Sequence, residues 1–174
     1  MKKLVVFFAA LFVMVIAVQN VNAQVNPTAS DEAVASATII AELGIAKVDD
    51  LLFGNIIADA DGGTVTVYAD GTATSYDGVN APTAFVGTVQ PATFTVTGAI
   101  GATYNISLPA DGVVLTDPVS TETMTLSAFT STPTTPSTLA DLTETLTVGA
   151  TLNVGGGQEP GTYTGTFDVT VQYN

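Results

Sequence analysis

The sequence predicts an all-β protein built from two antiparallel sheets packed face to face, and three observations carry that prediction. After the first two dozen residues, Thr is the commonest polar residue and Val the commonest large aliphatic one, both β-branched and favoured on a half-buried pleated surface. Apolar and polar residues alternate with period two through many short runs. Between the runs stand Asp61-Gly62, Asp70-Gly71, Asp77-Gly78 and Asp111-Gly112, pairs that supply positive φ for tight turns. Strands with one dry face and one Thr-rich face are buried economically in a two-sheet sandwich.

The elements follow in chain order. Lys2 and Lys3, fifteen apolar residues from Leu4 to Val18, and Val21-Asn22-Ala23 before Gln24 read as a secretory signal over residues 1–23. A membrane anchor is the alternative, but a spanning helix needs about 20 apolar residues. Residues 24–35 are polar and read as a flexible arm, and residues 36–174 as one domain.

From Ala37 to Ile45 the odd positions are Ala37, Ile39, Ala41, Leu43 and Ile45, a strand pattern with a less polar even face. Leu51 to Ile57 reads as extended chain, with Asp49-Asp50 and Asp59-Asp61 at its two ends. Alternation then predicts strands with Val65 and Val67, Phe94 and Val96, Tyr104, Ile106 and Leu108, Met124, Leu126 and Ala128, and Ala150, Leu152 and Val154 facing inward. Thr130 to Thr138 is a Thr/Pro-rich connection. Ser137 to Leu146 can begin as a short helix, since Leu139, Leu142 and Leu146 stand at helical spacing. If it is a strand instead, Glu144 shares parity with Leu142, Leu146 and Val148; a helical start or a bulge would bring it to solvent. The chain ends in a long alternating strand whose odd positions include Tyr163, Phe167, Val169, Val171 and Tyr173.

Composition excludes much catalytic chemistry. The 174 residues contain no Cys, His or Trp, and the three basic residues are all Lys. Disulfides, thiol nucleophiles, zinc thiolates and imidazole bases are therefore out of reach. After signal removal Lys47 stands alone against sixteen acids, a net charge of −15 that repels nucleic acid and anionic headgroups. The sequence thus predicts no nucleic-acid partner, no stable membrane insertion of the mature chain, no cofactor, no metal site and no catalytic residue. Asp59-Ala60-Asp61-Gly62-Gly63 resembles the start of a calcium loop but lacks the later acids and the closing Glu, so a hairpin turn explains it. Carboxylate pairs of glycosidase separation arise by chance among sixteen acids, and the aromatic platform for sugar is thin. Asn105-Ile106-Ser107 fits the N-glycosylation pattern inside an expected strand.

Leu51-Leu52-Phe53-Gly54, Val148-Gly149-Ala150-Thr151-Leu152 and the run Gly161 to Tyr173 resemble the bacterial secreted family called domain of unknown function 4402. More distantly, the Leu-x-Phe-Gly start and the Gly-x-Tyr and Val-x-Val-x-aromatic finish are similar to spore coat protein U domains and archaic chaperone–usher pilins. The resemblance to pilins implies an immunoglobulin-like sandwich lacking one strand, completed by the N-terminal arm of the next subunit through edge-strand addition. It implies Ala37, Ile39, Ala41, Leu43 and Ile45 as the donor row. It also implies Tyr163, Phe167, Val169, Val171 and Tyr173 as the C-terminal assembly strand that a periplasmic chaperone grasps. On the residues alone, Ala37 to Ile45 is equally the first strand of its own sandwich. The functional expectation is an exported, non-enzymatic structural or surface subunit in the periplasm or on the cell surface. The alternative is a monomeric extracellular binding module for a glycan or protein.

Overall fold

The computed structural model describes residues 28–72 and 74–174, so the expected signal segment lies outside the described residues. Among the described residues the regular structure is entirely β, and every strand pairing is antiparallel.

Residues 28–38 carry no regular structure. Twelve strands follow: β1 (Gly44–Asp49), β2 (Leu52–Phe53), β3 (Gly63–Val67), β4 (Ser75–Asp77), β5 (Val89–Gln90), β6 (Ala92–Thr97), β7 (Thr103–Ser107), β8 (Val113–Thr116), β9 (Thr123–Thr132), β10 (Ser137–Thr138), β11 (Thr143–Val154) and β12 (Thr170–Tyr173). The main sheet runs β1-β6-β11-β3-β4, with β9 and then β8 added to β11. A three-stranded sheet, β10-β7-β12, packs over part of it, and β2 pairs β5 separately.

The long strand β11 organises the molecule. Its first half pairs β6 and its second half pairs β3 along one edge, while β9 takes the other edge. Leu146, Val148, Ala150, Leu152 and Val154 all point inward and are buried, the period-two row that the alternation predicts. They join two core clusters. The first gathers Phe53, Val65, Val67, Val79, Leu126, Ala150, Leu152 and Val154; the second gathers Ala92, Val96, Tyr104, Ile106, Leu139, Leu146 and Val148. Leu51, Phe129 and Phe167 pack against both. All four Asp-Gly glycines have φ between 68° and 94°, the left-handed conformation expected of them.

Five expectations are corrected. The predicted strand Ala37 to Ile45 does not form: pairing starts at Gly44, and Ala37, Ile39 and Ala41 precede the first strand. The possible helix after Ser137 is strand β10, a short loop and β11; a mixed Leu spacing could not separate the two periods over so few residues. Of the extended run Leu51 to Ile57, only Leu52 and Phe53 form a strand, with Ile57 making one further bridge to Asn80. Ala128 is exposed rather than inward, because it sits at φ 49° in a bulge where β9 shifts register against β11. A bulge reverses parity, so Phe129 turns inward and meets Phe167 with ring centroids 5.3 Å apart. Asp111 holds the bulge by accepting the Ala128 amide proton at 2.7 Å.

The fifth correction concerns the C-terminal strand. Only Thr170–Tyr173 joins a ladder, on β7, and Thr164 makes a separate bridge to Thr116 at the end of β8. The segment between passes from one sheet toward the other, and a strand that changes sheets gives up its ladder at the crossing. Its alternation persists without pairing: Phe167 and Val169 are half-buried and Thr166, Asp168 and Thr170 exposed.

Candidate functional site

The residues expected to form a donor row fall into two groups. Leu43 and Ile45 pack against the second core cluster, with Ile45 opposite Val96 in the β1–β6 ladder. They belong to their own domain. Ala37, Ile39 and Ala41 are exposed, Ile39 by 97% and its neighbour Ile40 by 62%; Val34 is also 97% exposed. The division falls at Ala41, whose carbonyl accepts a hydrogen bond from the Tyr173 hydroxyl at 3.0 Å. The same oxygen of Tyr173 accepts the Ala99 amide proton at 2.7 Å, so the penultimate residue pins the start of β1 to the β6–β7 turn.

The C-terminal residues also have fixed positions. Phe167 touches both clusters, and Val169, Val171 and Tyr173 pack on the second. Tyr163 closes its own loop: its hydroxyl donates to the Glu159 carbonyl at 2.7 Å and accepts from the Gln158 amide at 2.9 Å. Between Thr164 and Thr170 no residue joins a ladder or bridge among the described residues.

A groove of about 940 Å³ lies beside this segment. One wall is Leu51 to Ala58 together with Gly87 and Thr88, the other Gln158 to Thr164, and the floor is Leu115, Met124, Leu152 and Val154. The floor is therefore the edge of the first core cluster, where Leu152 and Val154 are buried and Leu115 and Met124 half-buried. On its outer side the first wall is held by β5 through Leu52 and Phe53 and by the bridge from Ile57 to Asn80. Glu159 is the single charged side chain among the lining residues. Sequence reasoning missed this groove, because its walls are irregular segments with no period to read.

Asp117 fixes the second wall. Its carboxylate accepts from the Ser120 hydroxyl at 2.7 Å and the Ser120 amide at 2.9 Å and lies against Gly161, with the backbone of Val119 and Thr162 adding smaller lowering influences. The Ser120 hydroxyl and then its amide do most to hold the Asp117 carboxyl below its ordinary value, because each hydrogen bond favours the ionised form. A depressed folded-state value contributes stability at pH above the ordinary Asp range and loses it as pH falls through the folded value. Asp117→Asn is accordingly expected to speed amide exchange at Thr162 and Ser120 at pH 7. Acidifying the parent through the lowered Asp117 value, below the ordinary Asp range, should reduce the protection of the same amides relative to their intrinsic exchange at that pH. Hydrogen exchange resolved by residue checks both, and unchanged protection in the variant would remove Asp117 from this role.

Glu144 is the other polar group that sequence parity singled out. It lies in β11 opposite Val96 and reaches the buried Tyr104, whose hydroxyl donates to Glu144 Oε2 at 2.5 Å; Ser137 Oγ donates to the same oxygen at 3.2 Å. The carboxylate thus links the two sheets with its hydrogen bonds satisfied inside the protein. At Asp59 and Asp61 the backbone forms an ordinary turn, with the Gly62 and Gly157 amides donating to the Asp59 carbonyl. Among the described residues no group of three or more acidic side chains gathers in a way that could hold a metal ion.

A family model described as domain of unknown function (DUF4402) matches residues 43–173. The matched span opens one residue before β1 and closes at the last residue of β12, leaving the exposed segment before Leu43 outside it. No curated protein and no solved structure matches the chain.

Proposed function

This chain belongs to the DUF4402 family, and we propose that it is an exported, non-enzymatic structural subunit of the cell surface that assembles by strand addition through its N-terminal arm. The single observation that carries this reading is the arm itself. Ala33 to Ala41 is nine residues without a charge in a chain of sixteen acids, and its largest side chains, Val34, Ile39 and Ile40, are exposed. Burying each of these three in a partner is worth roughly 1.5–3 kcal/mol, as an upper estimate. Each backbone hydrogen bond of an added strand contributes about 1 kcal/mol more. Such a contact is large enough to overcome the repulsion between acidic copies. Residues 1–23 have the form of an export signal, and a periplasmic chaperone would guard the C-terminal strand with Phe167, Val169 and Val171 before assembly.

A second reading, a monomeric extracellular module that recognises a glycan or protein through its loops, is favoured by one feature. Phe85 is 89% exposed at φ 64°, with its carbonyl accepting from the Asn55 side chain at 2.5 Å. A large aromatic residue held outward in a sparsely populated conformation suits a recognition loop.

Sedimentation of the mature chain, starting at Gln24, beside a version starting at Leu43 separates the two. Strand addition predicts oligomers that survive unheated SDS for the first and monomers for the second, with melting temperatures within a few degrees. A strictly monomeric mature chain at millimolar concentration would overturn the first reading and leave the second.

A further inference from the structure

We infer that Asp77-Gly78 is a site of spontaneous backbone modification, the Asp-Gly pair at which the folded chain leaves both reacting groups free to form an isoaspartyl linkage. The inference stands apart from the strand-addition reading and from the groove.

The chemistry needs two groups. The glycine amide nitrogen attacks Cγ of the aspartate before it. A new N–Cγ bond closes a five-membered succinimide, and one carboxyl oxygen leaves as water with the amide proton and one proton from solvent. A water molecule then reopens the ring. Addition at Cγ restores aspartate; addition at the aspartate's backbone carbonyl carbon breaks the original peptide bond and leaves the chain running through the side chain. Glycine favours the closure because it has no Cβ to obstruct its nitrogen. The pairs beginning at Asp61, Asp70, Asp77 and Asp111 all meet that requirement.

The fold separates them. The Gly62 amide donates to the Asp59 carbonyl at 3.2 Å, the Gly71 amide to the Tyr68 carbonyl at 3.2 Å and the Gly112 amide to the Leu126 carbonyl at 2.8 Å. Two of the carboxylates are held as well. Asp70 accepts from the Thr72 amide at 3.0 Å and the Thr72 hydroxyl at 2.7 Å, and Asp111 accepts from the Ala128 amide at 2.7 Å. Asp77 ends β4, the last strand of the main sheet, and its ladder with β3 stops there, one residue before Gly78. Among the described residues no hydrogen bond engages the Asp77 carboxylate or the Gly78 amide, and both residues are exposed. Each bond that must first open slows ring closure about fivefold. Asp77 should therefore react about fivefold faster than Asp61 and at least tenfold faster than Asp70 and Asp111.

The product has a structural consequence at this place. It inserts the aspartate Cβ into a main chain that already touches the neighbouring turn. A Cβ on Gly63 would collide with the Asp77 carbonyl oxygen, and one on Gly78 would stand 2.6 Å from the Gly62 carbonyl oxygen. A chain lengthened here loosens β4 from β3 beside Val79, a buried member of the first core cluster.

The mature chain, starting at Gln24, is held folded at pH 7 for some weeks, and isoaspartate is located in chymotryptic peptides by electron-transfer mass spectrometry. Expected is the order given above, with Asp77 first. A parallel sample in concentrated urea, where no fold protects any pair, should show the four sites within about twofold of one another. Isoaspartate forming first at another pair, or Asp77 leading by the same margin in urea, would overturn the inference. Asp77→Asn passes through the same ring with ammonia leaving in place of water, and it should lose its amide when folded at a rate within about fivefold of that in urea. A variant that keeps this amide when folded and loses it in urea would show the Gly78 nitrogen held away from Cγ, and would overturn the inference too. Amide exchange in β4 should rise at least tenfold in the isomerised fraction, and unchanged exchange would overturn the loosening.

Discussion

Gly149→Ala is expected to destabilise the domain by about 3 kcal/mol, the upper end of what overpacking a close-packed interior costs, and to lower the melting temperature by roughly 10 °C. Gly149 sits where the shared edge of β11 passes from β6 to β3: β6 pairs as far as Val148, and β3 starts from Ala150. The chain leaving β3 turns away directly across it. A Cβ at this position would collide with the Val67 carbonyl oxygen and lie 2.5 Å from the Ala69 nitrogen, both backbone atoms that cannot swing aside. Thr147, two residues earlier, donates its hydroxyl to the Ala69 carbonyl at 2.5 Å, so a displaced chain loses that bond as well. Gly101→Ala serves as the contrast. There φ is 80° and nothing stands within 4 Å, so only the conformational cost of about 1 kcal/mol is expected. Equal losses in the two variants, measured by urea unfolding, would show that close approach at Gly149 is not what selects glycine.

Tyr104→Phe is expected to cost about 2 kcal/mol, the value of a hydrogen bond to a charged group in a largely buried place. Tyr104 is fully buried in β7 and spans the interior to Glu144 in β11. Glu144→Leu should cost a similar amount, since it leaves the phenol hydroxyl without its carboxylate. The double variant should cost less than the sum by at least about 1 kcal/mol, because replacing both partners leaves no polar group stranded. Additive losses would mean the pair is not coupled. The pH dependence has a definite sign. Burial first, and then the bond to Glu144, push the Tyr104 phenol up to about 12 from its ordinary value of 10. A group raised in the folded state contributes fully below its unfolded value and loses that contribution as pH rises through the folded one. The parent should therefore lose up to about 2–3 kcal/mol between pH 10 and 12, and Tyr104→Phe should lack that alkaline step.

The Tyr104–Glu144 pair also shows how far the residues could be read. Parity places Glu144 on the inward face if the stretch is a strand, and a helical start or a bulge is the local way to return a carboxylate to solvent. The structure keeps the strand and supplies a donor 40 positions away in the sequence. Nothing local to Glu144 announces Tyr104. The exposed-arm question divides in the same way. Alternation through Ala37 to Ile45 is continuous, yet Leu43 and Ile45 are core and Ile39 is exposed, because the hydrogen bond from Tyr173 to Ala41 and the edge of β6 determine where the domain begins.

Which side is dry was legible from the sequence alone in β3, β6, β7, β11 and the first part of β9, and so was the side-chain chemistry the chain lacks. Alternation is a local property, fixed by the pleat, and the buried row along β11 follows it residue by residue. The four Asp-Gly turns follow for the same reason, since positive φ is a property of one residue and its neighbour. Only the tertiary structure decided which strand lies beside which. It made β11 share one edge between β6 and β3, and placed a bulge at Ala128 that turns Phe129 inward. It also led the C-terminal segment out of its ladder between Thr164 and Thr170, and opened a groove against irregular walls. Pairing partners are distant in the chain and are selected by how two sheets close over a common core, a competition among whole surfaces that no short run of residues records.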